Sequence, residues 1–212
     1  MGRPTTAKLD QARIREAALA LVDAEGLDGL SMRRLAAALD VSAASLYFHY
    51  ATKDELLEAL AADVLANVDT SAFSRGWEPG VRAWARSLRA ALAAHPQLVP
   101  LLSHAPGRRA DALQRADDIH GGLVAAGWPP REATMIGAAA KYVVFGAALG
   151  SFAGGFAADP AVYADRYPHL GHAHRLAARA AEVDRESFEF ALEQLIAGLR
   201  LRYPDMSCAE TR

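Results

Sequence analysis

The sequence predicts an all-α protein in which a small N-terminal domain of three helices precedes a larger helical domain. Apolar residues recur with the 3.6-residue period of amphipathic helices along most of the 212-residue chain. No alternation of apolar and polar residues persists as it would in strands, and strand-forming residues do not occur in runs. Short polar residues that cap helices precede several of the periodic segments. We place the domain boundary so that residues 1–55 form the first domain and residues 56–205 the second.

The first predicted helix carries an apolar stripe that ends at a glycine. The stripe is Ile14, Ala18, Leu21 and Val22. Gly26 follows it, and glycine is the residue that most often terminates a helix.

Residues 31–53 predict two short helices joined by a tight turn, followed by the start of a longer helix. The first short helix has apolar residues at i, i+3, i+4 and i+7, namely Met32, Leu35, Ala36 and Leu39. Ser31 and Ser42 precede the two short helices as N-caps, and Thr52 forms a capping box with Glu55. The second short helix spans residues 43–49. This arrangement is typical of a helix-turn-helix, whose second helix enters the DNA major groove.

The second short helix carries side chains that suit contacts with DNA. Its first residues are small enough to approach base edges and thymine methyl groups: Ser42, Ala43, Ala44 and Ser45. Tyr47, His49, Thr52 and Lys53 can hydrogen-bond to phosphate oxygens, and Arg33 is the candidate for a bidentate contact to guanine. In the alternative interpretation, the segment is a small helical core in which Tyr47 and His49 merely pack.

Charge does not by itself indicate a nucleic-acid partner. The formal net charge is −2, and the first 50 residues hold six basic and six acidic residues. Any DNA binding must therefore depend on individually placed contacts. The single cysteine, Cys208, excludes an intramolecular disulfide and suits a reducing cytoplasm, and the N-terminus has no continuous apolar run of a signal peptide.

Residues 30–60 resemble the DNA-binding signature of the TetR/AcrR family of transcriptional regulators. The resemblance lies in the LYxH element, with Leu46, Tyr47 and His49, and in the following K-x-x-L-L, with Lys53 and the two leucines after it. Residues 188–199 also resemble the last helix of the tetracycline-repressor branch. The family implies a homodimer that binds a palindromic operator and releases it when a small, largely hydrophobic molecule binds. An activator, a regulator that senses a protein partner, and a helical module without DNA binding are the alternatives.

The larger domain is predicted as helices separated by glycine and proline. The segments are 53–68, 81–95, 98–102, 112–123, 133–158 and 188–199, with a loose tail after residue 204. The family implies that the helices between residues 53 and about 158 wall a ligand pocket. Our candidates for its lining are Trp84, Leu88, Leu102, His104, His120, Leu123, Tyr142 and Phe145. His104 and His120 are alternatively core histidines. Lys141 is either a surface lysine or a buried cation that faces an acidic group of the ligand.

Residues 133–158 are apolar enough to span a membrane, but Lys141 interrupts them and we expect a buried helix. Gly146, Gly150 and Gly154 recur every four residues, which permits close approach of a helix from a partner or from the same chain. The family implies that residues 131–155 and 184–202 form the dimer bundle. Our candidates for that interface are Gly146, Gly150, Phe188, Leu192 and Leu195.

The sequence contains no motif of an enzyme and no requirement for a cofactor. It lacks a phosphate-binding glycine loop, a nucleophile elbow and the paired histidines of a metalloprotease. His169, His172 and His174 form a cluster that could bind a metal, but no neighbouring carboxylate or thiol completes a ligand set. We expect no metal there and a flexible polar loop.

Overall fold

The computed structural model describes residues 9–103, 110–164 and 166–207. Every regular element in this part of the chain is helical, which confirms the predicted all-α fold. The α-helices are α1 (Gln11–Gly29), α2 (Met32–Ala38), α3 (Ala43–Tyr47), α4 (Lys53–Leu65), α5 (Trp77–Ala94), α6 (Val99–Leu102), α7 (Ala110–Ala125), α8 (Pro130–Ala148) and α9 (Ala180–Ser207). Seven short 3-10 helices lie between them, at Ser71–Arg75, Pro96–Leu98, Ala153–Gly155, Pro160–Val162, Pro168–Leu170, Ala173–Arg175 and Ala177–Arg179.

Helices α1 to α3 pack with the start of α4 into a small unit. Its fully buried side chains include Ile14, Val22, Leu35 and Leu46. Gly26 interrupts α1 at the position where the sequence predicted its end, because its backbone is non-helical. It kinks the helix with φ 76°, and the chain continues helically to Gly29. Glycine adopts this positive φ without the steric strain that a Cβ atom would add.

The larger domain is arranged around α5, which contacts α4, α7, α8 and α9. This helix begins at Trp77, four residues before the predicted start. Trp77 is buried and packs edge-on against Trp128, with ring centroids 5.5 Å apart. Tyr203 of α9 completes the aromatic cluster at 5.4 Å from Trp128 and donates a hydrogen bond to the Ala126 carbonyl. These contacts hold the C-terminal part of α9, so the predicted loose tail after residue 204 is wrong as far as Ser207.

The predicted apolar helix over residues 133–158 is also wrong in its second half. Helix α8 ends at Ala148, and the chain continues through the 3-10 turns that precede α9. Ser151 accepts a hydrogen bond from the Gly154 amide at 2.7 Å, and Asp184 of α9 accepts one from the Ala153 amide at 3.2 Å. These bonds give the backbone amides partners outside a continuous helix.

Candidate DNA-binding surface and ligand cavity

The turn between α2 and α3 sets the position of the second short helix. Asp40 occupies this turn with φ 56°, a left-handed conformation that aspartate tolerates better than most residues. The Val41 amide donates to the Ala36 carbonyl at 3.0 Å, and the Ser45 amide donates to Ser42 Oγ at 3.2 Å. Leu46 is fully buried and anchors α3 to the core. The outer face of α3 is thereby held away from the rest of the domain.

The predicted DNA-binding residues lie on α3 and on the neighbouring parts of α2 and α4. Arg33, Ser42, Ala44, Tyr47 and Thr52 are exposed, while Ala43, Ser45, His49 and Lys53 are half-buried. Tyr47 has an exposed fraction of 52%, so it is not a core residue as the alternative interpretation required. Leu46 and Tyr50 occupy the core instead.

Lys53 and Glu55 make contacts that the sequence did not predict. Lys53 Nζ donates to the Leu27 carbonyl at 3.1 Å and so ties the start of α4 to the end of α1. Thr52 Oγ1 accepts from the Glu55 amide at 3.0 Å, as expected of a capping box. The Glu55 carboxylate accepts from the Ala51 amide at 2.7 Å, one residue before the expected partner. The phosphate contact of Lys53 stays a prediction.

Phe48 is an exposed aromatic residue that the sequence analysis missed. Its exposed fraction is 88%, and its ring meets that of His49 edge-on with centroids 5.5 Å apart. Phe48 follows the buried Leu46 by two residues, which places it on the opposite side of a helix. That spacing from Leu46 is the signal by which the sequence could have identified it.

Two arginines near this surface are used within the protein. Arg34 forms an ion pair with Glu25 and donates to the Gly29 carbonyl at 3.1 Å. Arg15 of α1 forms an ion pair with Asp63 of α4 and donates to the Tyr50 hydroxyl at 3.0 Å. The hydrogen bonds to Tyr50 and Asp63 raise the pKa of Arg15 above its ordinary value.

A cavity of about 680 Å³ lies between helices α4 to α8. Four predicted residues line it: Trp84, Leu88, Leu102 and His120. Three further polar side chains in the wall were not among the predicted residues, namely Glu58, Arg115 and Thr134. Lys141 also lines the cavity, which favours the interpretation of a cation facing a ligand. Burial lowers the pKa of Lys141, and its ammonium lies 5.2 Å from the centre of the Phe145 ring.

Three predicted lining residues do not line this cavity. Leu123 and Phe145 are buried in the core, where helix packing covers them. Tyr142 points outward with an exposed fraction of 75%. His104 lies outside the described residues. The helical period identified apolar positions correctly, but it did not distinguish a cavity wall from a packed core.

The predicted dimer residues require similar corrections. Phe188 and Leu192 are buried in the core of their own chain, so they do not form an outward surface. Gly150 lies beyond the end of α8, and the four-residue glycine spacing therefore does not follow one helix. Leu195 is half-buried, and Gly146 faces open space, with no atom within 4 Å of the position of an added Cβ. The outward apolar residues of α8 and α9, with Leu149 just after α8, are Met135, Tyr142, Leu149, Phe190 and Leu201.

The remaining predictions concern metals and membranes. His169 and His172 are exposed, and the described ranges contain no group of three or more histidine, cysteine, aspartate or glutamate residues that could hold a metal. Within the same ranges, Pro130–Gly155 is long and apolar enough to cross a membrane, with a mean hydropathy of 1.4. Its helical part packs on α5, α7 and α9. Only 22% of this apolar segment is buried, so the expectation of a buried helix holds for the face that packs on these helices and is wrong for the exposed face.

A helix-turn-helix connected by α4 to a cavity defines the class of ligand-responsive DNA-binding proteins. A family model described as bacterial regulatory proteins of the tetR family matches residues 14–60. A second model, described as the tetracyclin repressor-like C-terminal domain, matches residues 73–203. The chain belongs to the TetR family of transcriptional regulators, and the predictions of a regulator and of no enzyme are confirmed.

Individual relatives agree with this assignment. An HTH-type transcriptional regulator from Saccharopolyspora erythraea is 35% identical over 139 residues, which cover 65% of this chain and 59% of the relative. The crystal structure of a possible TetR family transcriptional regulator from Streptomyces coelicolor A3(2) is 34% identical with a TM-score of 0.70, covering 91% of this chain and 99% of that one. The Streptomyces coelicolor TetR family protein ActR, solved in complex with actinorhodin, is 31% identical with a TM-score of 0.70, covering 93% and 99%.

Proposed function

We propose that the protein is a cytoplasmic repressor that binds a palindromic operator as a homodimer and releases it when a small, largely hydrophobic effector occupies the cavity. The observation that carries this proposal is the double role of α4. Leu57, Ala61 and Leu65 of this helix line the cavity, whereas Asp63 holds the Arg15 side chain of α1. A displacement of α4 by a ligand therefore acts directly on the helix-turn-helix unit.

A second connection between the two domains supports the same proposal. Leu101 and Leu102 of α6 line the cavity, and the Pro96–Leu98 turn just before α6 packs against α1. His95 Nδ1 lies 2.9 Å from a carboxylate oxygen of Asp23 in α1. A ligand that moves α6 would pull on α1 through this contact. Two independent links favour a rigid-body change of the DNA-binding unit over its local unfolding.

The outward apolar surface of α8 and α9 supports pairing with a second copy. Met135, Tyr142 and Leu149 recur every seven residues on one side, and Phe190 and Leu201 are exposed at 68% and 80% on α9. Large exposed apolar patches on soluble proteins mark interaction surfaces. A two-fold dimer presents two copies of α3 to a palindrome at about one helical turn of DNA or a multiple of it.

The dimer proposal is tested by placing a charge on this surface. We expect Tyr142→Glu to give a monomer in sedimentation and to abolish tight operator binding, while circular dichroism shows a folded helical protein. Tyr167→Glu is the matched control, because Tyr167 is also exposed but lies outside α8 and α9. A Tyr142→Glu protein that sediments as a stable dimer would show that the dimer interface lies on another surface.

The DNA contacts are tested on genomic fragments selected by a mobility-shift assay. We expect Arg33→Ala to relax base choice at one position in each half-site, at a cost of about 1–3 kcal/mol. Phe48→Ala should weaken binding, because Phe48 presents an apolar ring that can contact a thymine methyl. Wild-type operator affinity in both variants would show that these two residues do not contribute to DNA binding.

The switch is tested by titrating an effector found by operator release, with and without saturating operator. Linkage requires that operator weaken effector binding by the same factor by which effector weakens operator binding, typically about 5–150-fold. Leu88→Trp fills the cavity and should blunt the response to effector while operator affinity stays near normal. Equal effector affinities with and without operator would contradict the repressor mechanism.

A further inference from the structure

The two sides of the cavity differ in chemistry. Helices α4, α5 and α6 contribute mainly large apolar side chains, among them Leu65, Trp84, Leu88 and Leu102. Helices α7 and α8 contribute one large apolar residue, Ile119, and otherwise small ones, which are Ala112, Ala116, Ala133, Gly137 and Ala138. The same two helices also supply every described polar lining residue except Glu58. A ligand of this cavity therefore meets an apolar wall on one side and polar groups with space around them on the other.

Two of the polar groups on the α7 and α8 side are committed to the backbone. His120 Nε2 and Thr134 Oγ1 both contact the Pro130 carbonyl oxygen, at 3.1 and 3.0 Å. Because a carbonyl oxygen only accepts, both groups donate their hydrogens to it. The His120 bond helps to hold α7 against α8, whereas the Thr134 bond lies within α8. Each group offers a ligand chiefly its remaining acceptor capacity.

The charged side chains that line the cavity include more cations than anions, and they differ in their ion pairs and exposure. Among the described lining residues, Arg115 and Lys141 are cationic and Glu58 is anionic. Arg115 forms an ion pair with Asp111 at 2.7 Å, which offsets part of its charge. Glu58 lies on α4 and is exposed. The charged side chains that α7 and α8 contribute to the described lining are therefore both cationic, Arg115 and Lys141.

We infer that the effector is an amphipathic organic acid, whose anionic group contacts Lys141 and whose apolar body lies against α4, α5 and α6. Arg115 adds a second cationic group on the same side. Burial lowers the pKa of Lys141, and an approaching anion counteracts this shift, since an opposite charge stabilises the ammonium form. This inference rests on the proposed effector role of the cavity and adds the chemical class of the ligand.

Two fluorescent dyes with the same ring skeleton test the inference. Anilinonaphthalene sulfonate carries a permanent negative charge, and phenylnaphthylamine lacks the sulfonate. We expect Lys141→Met to weaken binding of the sulfonate about tenfold relative to the neutral dye, the change that loss of a buried charge-assisted contact produces. Lys141→Arg keeps the cation and should keep the wild-type ratio of the two dissociation constants.

Arg131→Met is the matched control, because Arg131 is an exposed cation on the same helix and does not line the cavity. It should leave the ratio unchanged, and Leu88→Trp should weaken both dyes. An unchanged ratio in Lys141→Met, or an equal change in Arg131→Met, would overturn the inference. Sulfonate binding that survives Leu88→Trp would overturn it as well. The operator-release assay stands apart from these titrations, so the repressor proposal can hold when the acid class fails.

Discussion

The helix-turn-helix region and the cavity region begin their helices in different ways. Helices α1 to α4 each follow a residue whose side chain accepts a backbone amide hydrogen, namely Asp10, Ser31, Ser42 and Thr52. Helices α5, α6 and α8 begin without a side-chain cap. Trp77 starts α5 where its ring packs against Trp128. Local hydrogen bonds thus define the first region, and contacts between distant residues define the second.

The largest expected effect distinguishes the cores of the two regions. Leu46→Ala and Leu192→Ala both remove a fully buried side chain, and each should lower the free energy of unfolding by about 2–5 kcal/mol. Hydrogen exchange should show loss of protection mainly in α1 to α3 for Leu46→Ala and mainly in α5 to α9 for Leu192→Ala. Uniform loss of protection in both variants would mean that the two regions unfold as one unit.

Two adjacent glycines in α7 test whether contacts with distant residues decide which side chains this helix tolerates. A Cβ added at Gly122 would lie 2.5 Å from the Cβ of Phe73, whereas one added at Gly121 would meet no atom within 4 Å. We expect Gly122→Ala to destabilise the protein by about 1–3 kcal/mol through overpacking. Gly121→Ala should stabilise it by about 0.5–1 kcal/mol because alanine favours a helix interior. Thermal unfolding measures both, and equal effects would contradict the close packing of Phe73.

A smaller effect tests local control in the first region. Ser31→Ala removes the acceptor of the Arg34 amide and should lower the free energy of unfolding by about 1 kcal/mol. Ser31→Asp keeps an acceptor at the same position and should retain most of the stability. Denaturant titration of the wild type and the two variants checks this. A Ser31→Ala protein as stable as the wild type would show that packing alone defines the start of α2.

The smallest effect concerns the ion pairs between α5 and α9. Arg82 lies 2.8 Å from Glu193 and 3.4 Å from Glu78. Its hydrogen bond lowers the pKa of Glu193 below the usual value of 4.5, and a hydrogen bond from Arg200, with a smaller contribution from Arg82, lowers the pKa of Glu78. Arg82→Met should lower the free energy of unfolding by about 0.5–1 kcal/mol at neutral pH, since the pairs are partly exposed to solvent.

The contribution of Arg82 should depend on pH in one direction. A depressed carboxylate pKa stabilises the folded state above the unfolded value and ceases to do so as the pH falls through the folded value. The difference between wild type and Arg82→Met should therefore shrink below about pH 4.5. Arg179→Met, in the exposed pair with Glu182, should leave the free energy of unfolding unchanged both at neutral pH and in acid. A difference that grows in acid would contradict the assigned pKa directions.

The sequence was sufficient where a helix boundary depends on neighbouring residues. Ser31, Ser42 and Thr52 cap helices as predicted, because a cap hydrogen bond spans only three residues. The LYxH element and the following K-x-x-L-L indicate the family through residues that are close together in the sequence. Phe48 was not among the predicted DNA contacts, because its exposure follows from the burial of Leu46 by side chains that are distant in the sequence.

The apolar residues of α8 and α9 show where the sequence was insufficient. Both helices carry apolar residues on two sides, and periodicity could not assign one side to the core and the other to solvent or a partner. Phe188 and Leu192 proved to be core residues, whereas Tyr142 proved to be exposed. Which side of α8 and α9 faces the core depends on where α5 and α7 pack. These contacts join residues that are far apart in the chain.

The sequence alone determined the helical class, the helix-turn-helix and its caps, because these depend on interactions within a few residues. Only the tertiary structure decided where α5 begins, where α8 ends and which side chains surround the cavity. Lys141 illustrates the difference: its position in an apolar segment could be read directly from the chain, but its place in the wall of the cavity could not. That placement arises from the packing of five helices, and no local pattern encodes it.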